Sequence, residues 1–388
     1  MKKFVIIALV FLICVTIPVL GKIERNHTLE NGISAIFEKD KLVGMSVCVI
    51  KNNEVVWQWA HGWADIENKI PVTVNTLFML ASVSKTITGA TLLHLYDKGK
   101  FSLDEDINNY MPFKIRNPKY PDEPITFRML FNHTSTLNDD FKIISPLYGD
   151  GDVTSPPLAK LVRGFFEPGG KYYKQTNFIE KKPGQTFHYS NLNYVVIAYL
   201  VELLSKESFS NYCKKNILNP LNMKNSSWFL SDLNQKEVAV HYEIDENQKE
   251  KLKRVRHYGW PGYADGCFRS SIPQYTNFIK MLMNDGVFDG KRVLSSKTIS
   301  EMFTAQKIKD IPPEVHALPM IDRALIWRIV EMSGQKYFAH LGGGTGITTL
   351  VLIDPIKKSG IIWFCTGEAE TPVTYLSIFN LLIKKLAE

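Results

Sequence analysis

"GITTLVLIDPIKKSGIIWFCTGE", residues 346–368, holds two β-rich runs, 346–354 and 360–368, around a Pro-Ile-Lys-Lys-Ser turn. Runs rich in Val, Ile, Thr and aromatic residues, bounded by Gly, Pro and Ser, read as strands. Two more lie just upstream, "RALIWRIV" (323–330) and "YFAHLGG" (337–343), and "PVTYLSIFNLLIKKLAE" (372–388) reads as a closing helix. The other end of the chain answers with a β-hairpin: "GMSVCVI" (44–50), a turn at Lys51-Asn52-Asn53, and "EVVWQWAHGWAD" (54–65). Helical patterns fill the middle: the run after Ser82, "ITFRMLFNHTS" (125–135), "PLAKLVRGFF" (157–166), "NLNYVVIAYLVELLS" (191–205), "IPQYTNFIKMLMNDG" (272–286) and "SSKTISEMFT" (295–304). Strands at both ends with helices between them predict an α+β fold. One antiparallel sheet built from both termini is flanked by helices, with a mostly helical inserted lobe at about 105–260.

The chain has 388 residues. Lys2 and Lys3 precede an apolar run from Phe4 to Leu20, broken by Pro18, and Val19 and Gly21 are small. That is the layout of a secretory signal peptide cleaved after Gly21, leaving one domain over 22–388. An uncleaved N-terminal anchor is the alternative. Cleavage removes two lysines and no acid, so the formal net charge of +7 falls to +5. Charges of both signs are scattered without a basic stripe, so a nucleic-acid partner is not expected; nor is membrane contact beyond a possible N-terminal anchor. The expected location is extracytoplasmic or secreted, and the expected partner is a small-molecule or peptide substrate. Cys48, Cys213, Cys267 and Cys365 form no Cys-x-x-Cys pair, and no His-x-x-x-His pair or carboxylate cluster occurs, so no metal or cofactor is expected. Cys48 and Cys365 lie in strand-like runs and fit either buried thiols or one disulfide. Asn26, Asn132 and Asn225 begin glycosylation sequons, meaningful only in a eukaryotic host.

Three short elements carry chemistry. In "LFMLASVSKTITGATLLHLYDKGK" (77–100), Ser82 and Lys85 stand three apart where a buried helix begins. Ser is an ordinary cap there, but Lys in a first turn opposes the helix dipole. Residues three apart share a helical face, so the amine reaches the hydroxyl, and burial together with the dipole favours the neutral amine that can accept its proton. A second Ser-x-x-Lys, Ser333 to Lys336, falls between two strands and reads as a solvated turn. In "PGQTFHYSNLNYVVIAYL" (183–200), Tyr189 and Asn191 stand just before a helix, where a tyrosine can pass a proton and an asparagine can hold an amide; the same spacing in Tyr275-Thr276-Asn277 lies inside a helix and reads as packing. In "KYFAHLGGGTGITTLVLID" (336–354), a strand carrying His340 runs into Gly342 and Gly343. The Gly343 N–H is free to donate and, with the Ser82 N–H, would form an oxyanion hole. No lysine follows the glycines, so this is not a phosphate loop.

Taken in order, Ser-x-x-Lys, Tyr-x-Asn and His-x-Gly resemble the motifs of the serine β-lactamase and penicillin-binding-protein superfamily, in its class C-like branch. "PVTVNTLFMLASVSKTITG", "GKFSLDEDINNYMP", "ITFRMLFNHTSTL", "PGQTFHYSNLNY" and "MLMNDGVFDGKRVLSSKTISEMF" also resemble family segments, and the resemblance spans roughly residues 28–388. It implies an exported serine hydrolase in which Ser82 becomes acylated, Lys85 and Tyr189 share the proton transfers, Asn191 orients the acyl side chain, and His340, Gly342 and Gly343 border the substrate. Two departures bear on substrate. His340 replaces the lysine of true class C β-lactamases, which moves the expectation from β-lactams toward an ester, amide or D-amino-acid peptide; β-lactamase, acyltransferase and a non-catalytic binding or assembly role are the alternatives. Thr136 stands where the family's His-Thr-Ser-Gly has glycine, so that loop is expected to differ, because a Thr resists positive φ. His133 is expected to be structural.

Overall fold

The computed structural model describes residues 26–245, 251–311, 318, 320–332, 334–367 and 372–388. The N-terminal apolar segment with its cleavage site, and Ser333 of the second Ser-x-x-Lys, lie outside them. The elements used below, in chain order, are α1 (His27–Lys39), β1 (Leu42–Lys51), β2 (Glu54–Asp65), β3 (Ile70–Pro71), α2 (Ser84–Asp97), α3 (Leu158–Phe166), α4 (Leu192–Ser205), α5 (Ile272–Met283), α6 (Ser296–Phe303), β4 (Met320–Arg323), β5 (Arg328–Met332), β6 (Gln335–Gly344), β7 (Ile347–Asp354), β8 (Ser359–Gly367) and α7 (Pro372–Ala387).

The sheet runs β4-β5-β6-β7-β8-β1-β2-β3, and its neighbours pair antiparallel, so strands from the two ends of the chain meet at β8 and β1. β1 and β8 are buried on both faces, which is why they read as continuous apolar runs rather than as alternating ones. One face packs on α1 and α7 through Leu29, Ile33, Phe37, Ile378 and Leu382. The other packs on α5, and the remaining helices share the core on that side. The register sets Cys48 opposite Ile362 and Cys365 opposite Met45. Cys48 faces α5, its Sγ 3.5 Å from Thr276 Oγ1, while Cys365 faces the α1/α7 layer. The sheet itself separates them, and all four described cysteines are free, buried thiols.

The sequence reading omitted α1. Its signals are present: Asn26 caps it by accepting from Leu29 N, and Leu29, Ile33 and Phe37 recur every four residues. The run 323–330 is a correction of another kind. Residues 324–327, fully buried and apolar, form a turn closed by Ala324 N on Trp327 O, with β4 ending and β5 beginning on either side. A short apolar run cannot by itself distinguish a buried strand from a buried turn.

α2 is the central helix, buried on nearly every side. Gly89 makes this possible: a Cβ there would stand 2.4 Å from Ile326 Cδ1 in the 324–327 turn. Tyr275, on α5, is buried with its hydroxyl 2.8 Å from Thr86 Oγ1, a packing role as expected. Asn132 is buried and accepts from Thr134, so its sequon is inaccessible in the folded chain. Among the described residues no helix is long and apolar enough to cross a membrane.

Candidate active site

Ser82 lies in a 3₁₀ turn, Ala81–Val83, just ahead of α2, and caps nothing; the helix proper starts at Ser84. The turn is held from both sides. Leu80 N donates to Phe268 O at 2.8 Å, and Thr349 Oγ1, on β7, donates to Leu80 O at 2.7 Å. Between these anchors Ala81 takes a φ of +44°, a conformation costing on the order of 1–3 kcal/mol for a residue with a Cβ. The strain turns the half-buried Ser82 toward the β6 edge.

One helical turn on, Lys85 is fully buried. Its Nζ stands 3.0 Å from Ser82 Oγ, 2.8 Å from Asn191 Oδ1 and 2.8 Å from the Asp265 carbonyl oxygen. Tyr189 approaches from the other side, its hydroxyl 2.8 Å from Ser82 Oγ. Behind it the His133 ring stacks at 4.4 Å, and His133 Nδ1 accepts from Ser190 N. Burial drives the His133 proton affinity well below its usual value, so the ring is a neutral acceptor. Asn191 precedes α4, but its side chain is spent on Lys85. The capping is done by Asp139, which accepts from Ser190 Oγ, Asn191 N and Leu192 N at 2.7, 2.7 and 3.1 Å.

A further ionisable group was not foreseen. Asp265 is buried, with Oδ1 accepting from Trp260 Nε1 at 2.7 Å and Oδ2 3.9 Å from Lys85 Nζ. Desolvation pushes its carboxyl up to about 6, although the Lys85 charge and the Trp260 bond pull the other way.

β6 forms the opposite wall. Its pairing with β5 reaches only to Ala339↔Arg328, so residues 340–344, paired with β7 on one edge, turn the other edge to the Ser82 turn. A Cβ on Gly342 would stand 2.5 Å from Leu80 O and 3.1 Å from Ser82 N, so only glycine lets β6 close on the Ser82 amide. Gly343 faces open space. Ser82 and Gly343 both line two clefts. One, of about 440 Å³, has walls including Phe141, Tyr148, Trp260 and Asp265. The other, of about 360 Å³, is walled by Tyr189, His340, Arg323 and Arg328. His340 is buried, its Nδ1 near Leu341 O; burial and the charges of Lys85, Arg323 and Arg328 lower its proton affinity. Residue 340 therefore carries no cation, but two guanidinium groups supply positive charge to the same cleft. Among the described residues no group of three or more His, Cys, Asp or Glu side chains is arranged to hold a metal ion.

The sequence matches the family model described as Beta-lactamase over residues 29–383. The chain belongs to the beta-lactamase family. Protein flp of Staphylococcus aureus (strain N315) is 24% identical over 221 residues, 57% of this chain and 42% of flp; the matched chain thus spans less than half of that relative. An octameric penicillin-binding protein homologue from Pyrococcus abyssi superposes with a TM-score of 0.73 at 23% identity, covering 92% of this chain and 77% of that one. The D-amino acid amidase of Ochrobactrum anthropi superposes with a TM-score of 0.71 at 20% identity, covering 92% and 99%. These likenesses place the chain in the β-lactamase/penicillin-binding-protein fold.

One expectation about this beta-lactamase-family loop fails. Thr136 does take positive φ, +73°, as does His133 at +59°. Asn117 Nδ2 donates to Thr136 Oγ1 at 3.0 Å, and Ile179 N donates to Thr136 O at 2.9 Å. Buried hydrogen bonds hold the conformation that glycine would adopt without strain.

Asp139, Asp265, Arg323 and Arg328 are the site residues that sequence reasoning missed. Asp139 had a faint signal, an acid in a polar loop. The other three sit in apolar or aromatic stretches with no spacing to mark them.

Proposed function

We propose that the protein is a serine hydrolase that forms an acyl-enzyme on Ser82 from an ester, an amide or a D-amino-acid peptide. The observation that carries this reading is the convergence on Ser82 Oγ of Lys85 Nζ at 3.0 Å and Tyr189 OH at 2.8 Å, at the meeting point of two clefts. Ser82 Oγ bonds to the carbonyl carbon while its proton passes to the Lys85/Tyr189 pair. The same pair protonates the departing alcohol or amine. The N–H groups of Ser82 and Gly343 are the donors for the oxygen that becomes negative. Water then adds to the ester carbon, and the acid leaves with Ser82 restored.

Arg323 and Arg328 favour a substrate with a carboxylate near the reacting bond, since planar guanidinium groups pair well with carboxylates. An amide of the class named for the amidase that shares the fold belongs among the first compounds to test. Export of the chain is part of this proposal, supported by Lys2, Lys3 and the apolar run ending near Gly21. N-terminal sequencing that begins at Lys22 would establish cleavage; an intact Met1 on a membrane-bound protein would mark the uncleaved anchor, and an intact Met1 on protein confined to the cytoplasm would refute export.

The test is turnover of an activated p-nitrophenyl ester and intact-mass detection of an acyl adduct with a penicillin, each in wild type and Ser82→Ala. Turnover lost in Ser82→Ala supports the hydrolase. A lasting penicillin adduct without ester turnover marks a binding or sensor role instead.

A further inference from the structure

We propose that Asp265 is a positioning residue for the Ser82 reaction, a fixed counter-charge that sets how tightly the Lys85 amine holds its proton. The inference rests on the reading of Ser82 and Lys85 given above. Lys85 Nζ has two neighbours that can only accept, Asn191 Oδ1 and the Asp265 carbonyl, both at 2.8 Å. Two N–H bonds go to them. The remaining tetrahedral direction that has a partner points at Ser82 Oγ, 3.0 Å away. In the ammonium that direction is a third N–H; in the neutral amine it is the lone pair that can take the serine proton.

Which form is present depends on the charge around a nitrogen with no access to water. Among the described residues Lys85 has one ion pair, with Asp265 Oδ2 at 3.9 Å. A carboxylate at that distance in a buried site favours the ammonium strongly. The Asp265 carboxylate is therefore the charge that bears on this nitrogen. The same residue grips Lys85 twice, by carbonyl and by charge, and is itself fixed by Trp260 Nε1 at 2.7 Å.

Asp265 is surrounded by few other ionisable groups. Lys85 faces it from α2, Asp139 and Tyr148 from the loop that precedes α3, and Tyr258 and Cys267 from its own loop. Asp139 is the one other carboxylate in this group, and its charge raises the affinity of Asp265 for a proton. Asp265 thus protonates in mildly acidic solution, at about pH 6, and the counter-charge on Lys85 disappears there.

The experiment compares wild type with Asp265→Asn, which keeps a side-chain acceptor for Trp260 and removes the charge. Carbon-13-labelled lysine reports the Lys85 titration by NMR, and kcat/KM for the activated ester is measured against pH. The expected result is a fall of at least one pH unit in the Lys85 midpoint, with the acid limb of kcat/KM moving down by the same amount. A purely structural role through Trp260 moves neither. An unchanged Lys85 midpoint overturns the proposal, and so does a shifted midpoint with an unmoved acid limb. Should the variant not fold, wild type alone decides: the Lys85 signal must show a second inflection where Asp265 protonates, and its absence overturns the proposal. If Ser82→Ala leaves turnover intact, the assignment of Ser82 falls instead, and the amine titration, which needs no substrate, still decides whether Asp265 is the counter-charge.

Discussion

Lys85 has two jobs that pull in different directions, and its removal should separate them. It borders Ser82 Oγ, and it also neutralises Asp265. Lys85→Ala is expected to slow acylation of Ser82 by about 10³-fold, the scale of a lost proton-transfer group, read as the burst of p-nitrophenolate. It also leaves Asp265 buried with no cation beside it. At pH 8 that carboxylate must ionise in a dry site or hold its proton against solution, whereas at pH 5 it is already protonated at no extra cost. The loss of melting temperature in Lys85→Ala should accordingly be larger at pH 8 than at pH 5. Equal losses at both values would mean that the pair contributes packing and not charge. Asp139 gives a simpler case. It accepts three hydrogen bonds at the start of α4, so Asp139→Ala should cost about 1–2 kcal/mol in chemical denaturation. It should also slow acylation, because Asn191 is one of the capped residues and Tyr189 adjoins them.

The β6 edge and the ends of helices show how backbone conformation, rather than side-chain chemistry, builds the site. Gly342 and Gly343 are neighbours with opposite requirements. Gly342→Ala forces a Cβ against Leu80 O and Ser82 N and should abolish acylation while leaving a folded protein by circular dichroism. Gly343→Ala meets nothing within 4 Å and should fold with an unchanged melting temperature. If both variants acylate at the wild-type rate, the close approach of β6 to Ser82 is not required. Far from the site, α4 ends at Lys206 with a φ of +62°, a left-handed position that glycine occupies without strain. Lys206→Gly should raise stability by about 0.5–1 kcal/mol, measured by urea unfolding.

The molecule as a whole buries an unusual set of neutral histidines. Burial lowers the proton affinity of His133, His241 and His340 well below the ordinary range, and of His94 and His257 to about 4. In the unfolded chain each takes up a proton near pH 6.5, and in the folded chain it does not. The unfolded state then binds more protons, so stability is full above pH 6.5 and falls as the pH drops toward 4. Asp265 has the opposite sign, since its raised affinity lets the folded chain bind the extra proton between its unfolded value of 3.8 and about 6. One such group is outweighed by five histidines. Thermal melts should show the midpoint falling steadily from pH 7 to pH 5; a flat or rising midpoint over that interval would contradict the buried neutral state.

The strands at 44–65 and 337–367, the helices after Ser82 and Asn191, and the grouping of Ser82, Lys85 and Tyr189 could be read from residue order. The strands, the helices and the Ser82–Lys85 pair are local matters of period, turn chemistry or spacing along one helix, and local physics is written in neighbours; Tyr189, 107 residues from Ser82, was grouped with them only through the resemblance of the ordered motifs. Helix α1 was also within reach, with its cap at Asn26 and its four-residue apolar spacing. The turn at 324–327, the positive φ of Thr136 and the charges around the two clefts were not. Thr136 is held by Asn117, 19 residues away; Lys85 is met by Asp265, 180 residues on; and Arg323 and Arg328 reach the cleft because a buried turn replaces a strand between them. Burial and electrostatic environment are properties of what the folded chain brings together. The order of residues therefore specifies the sheet and the Ser82–Lys85 pair, and three-dimensional packing specifies the proton affinities and the charge lining the clefts.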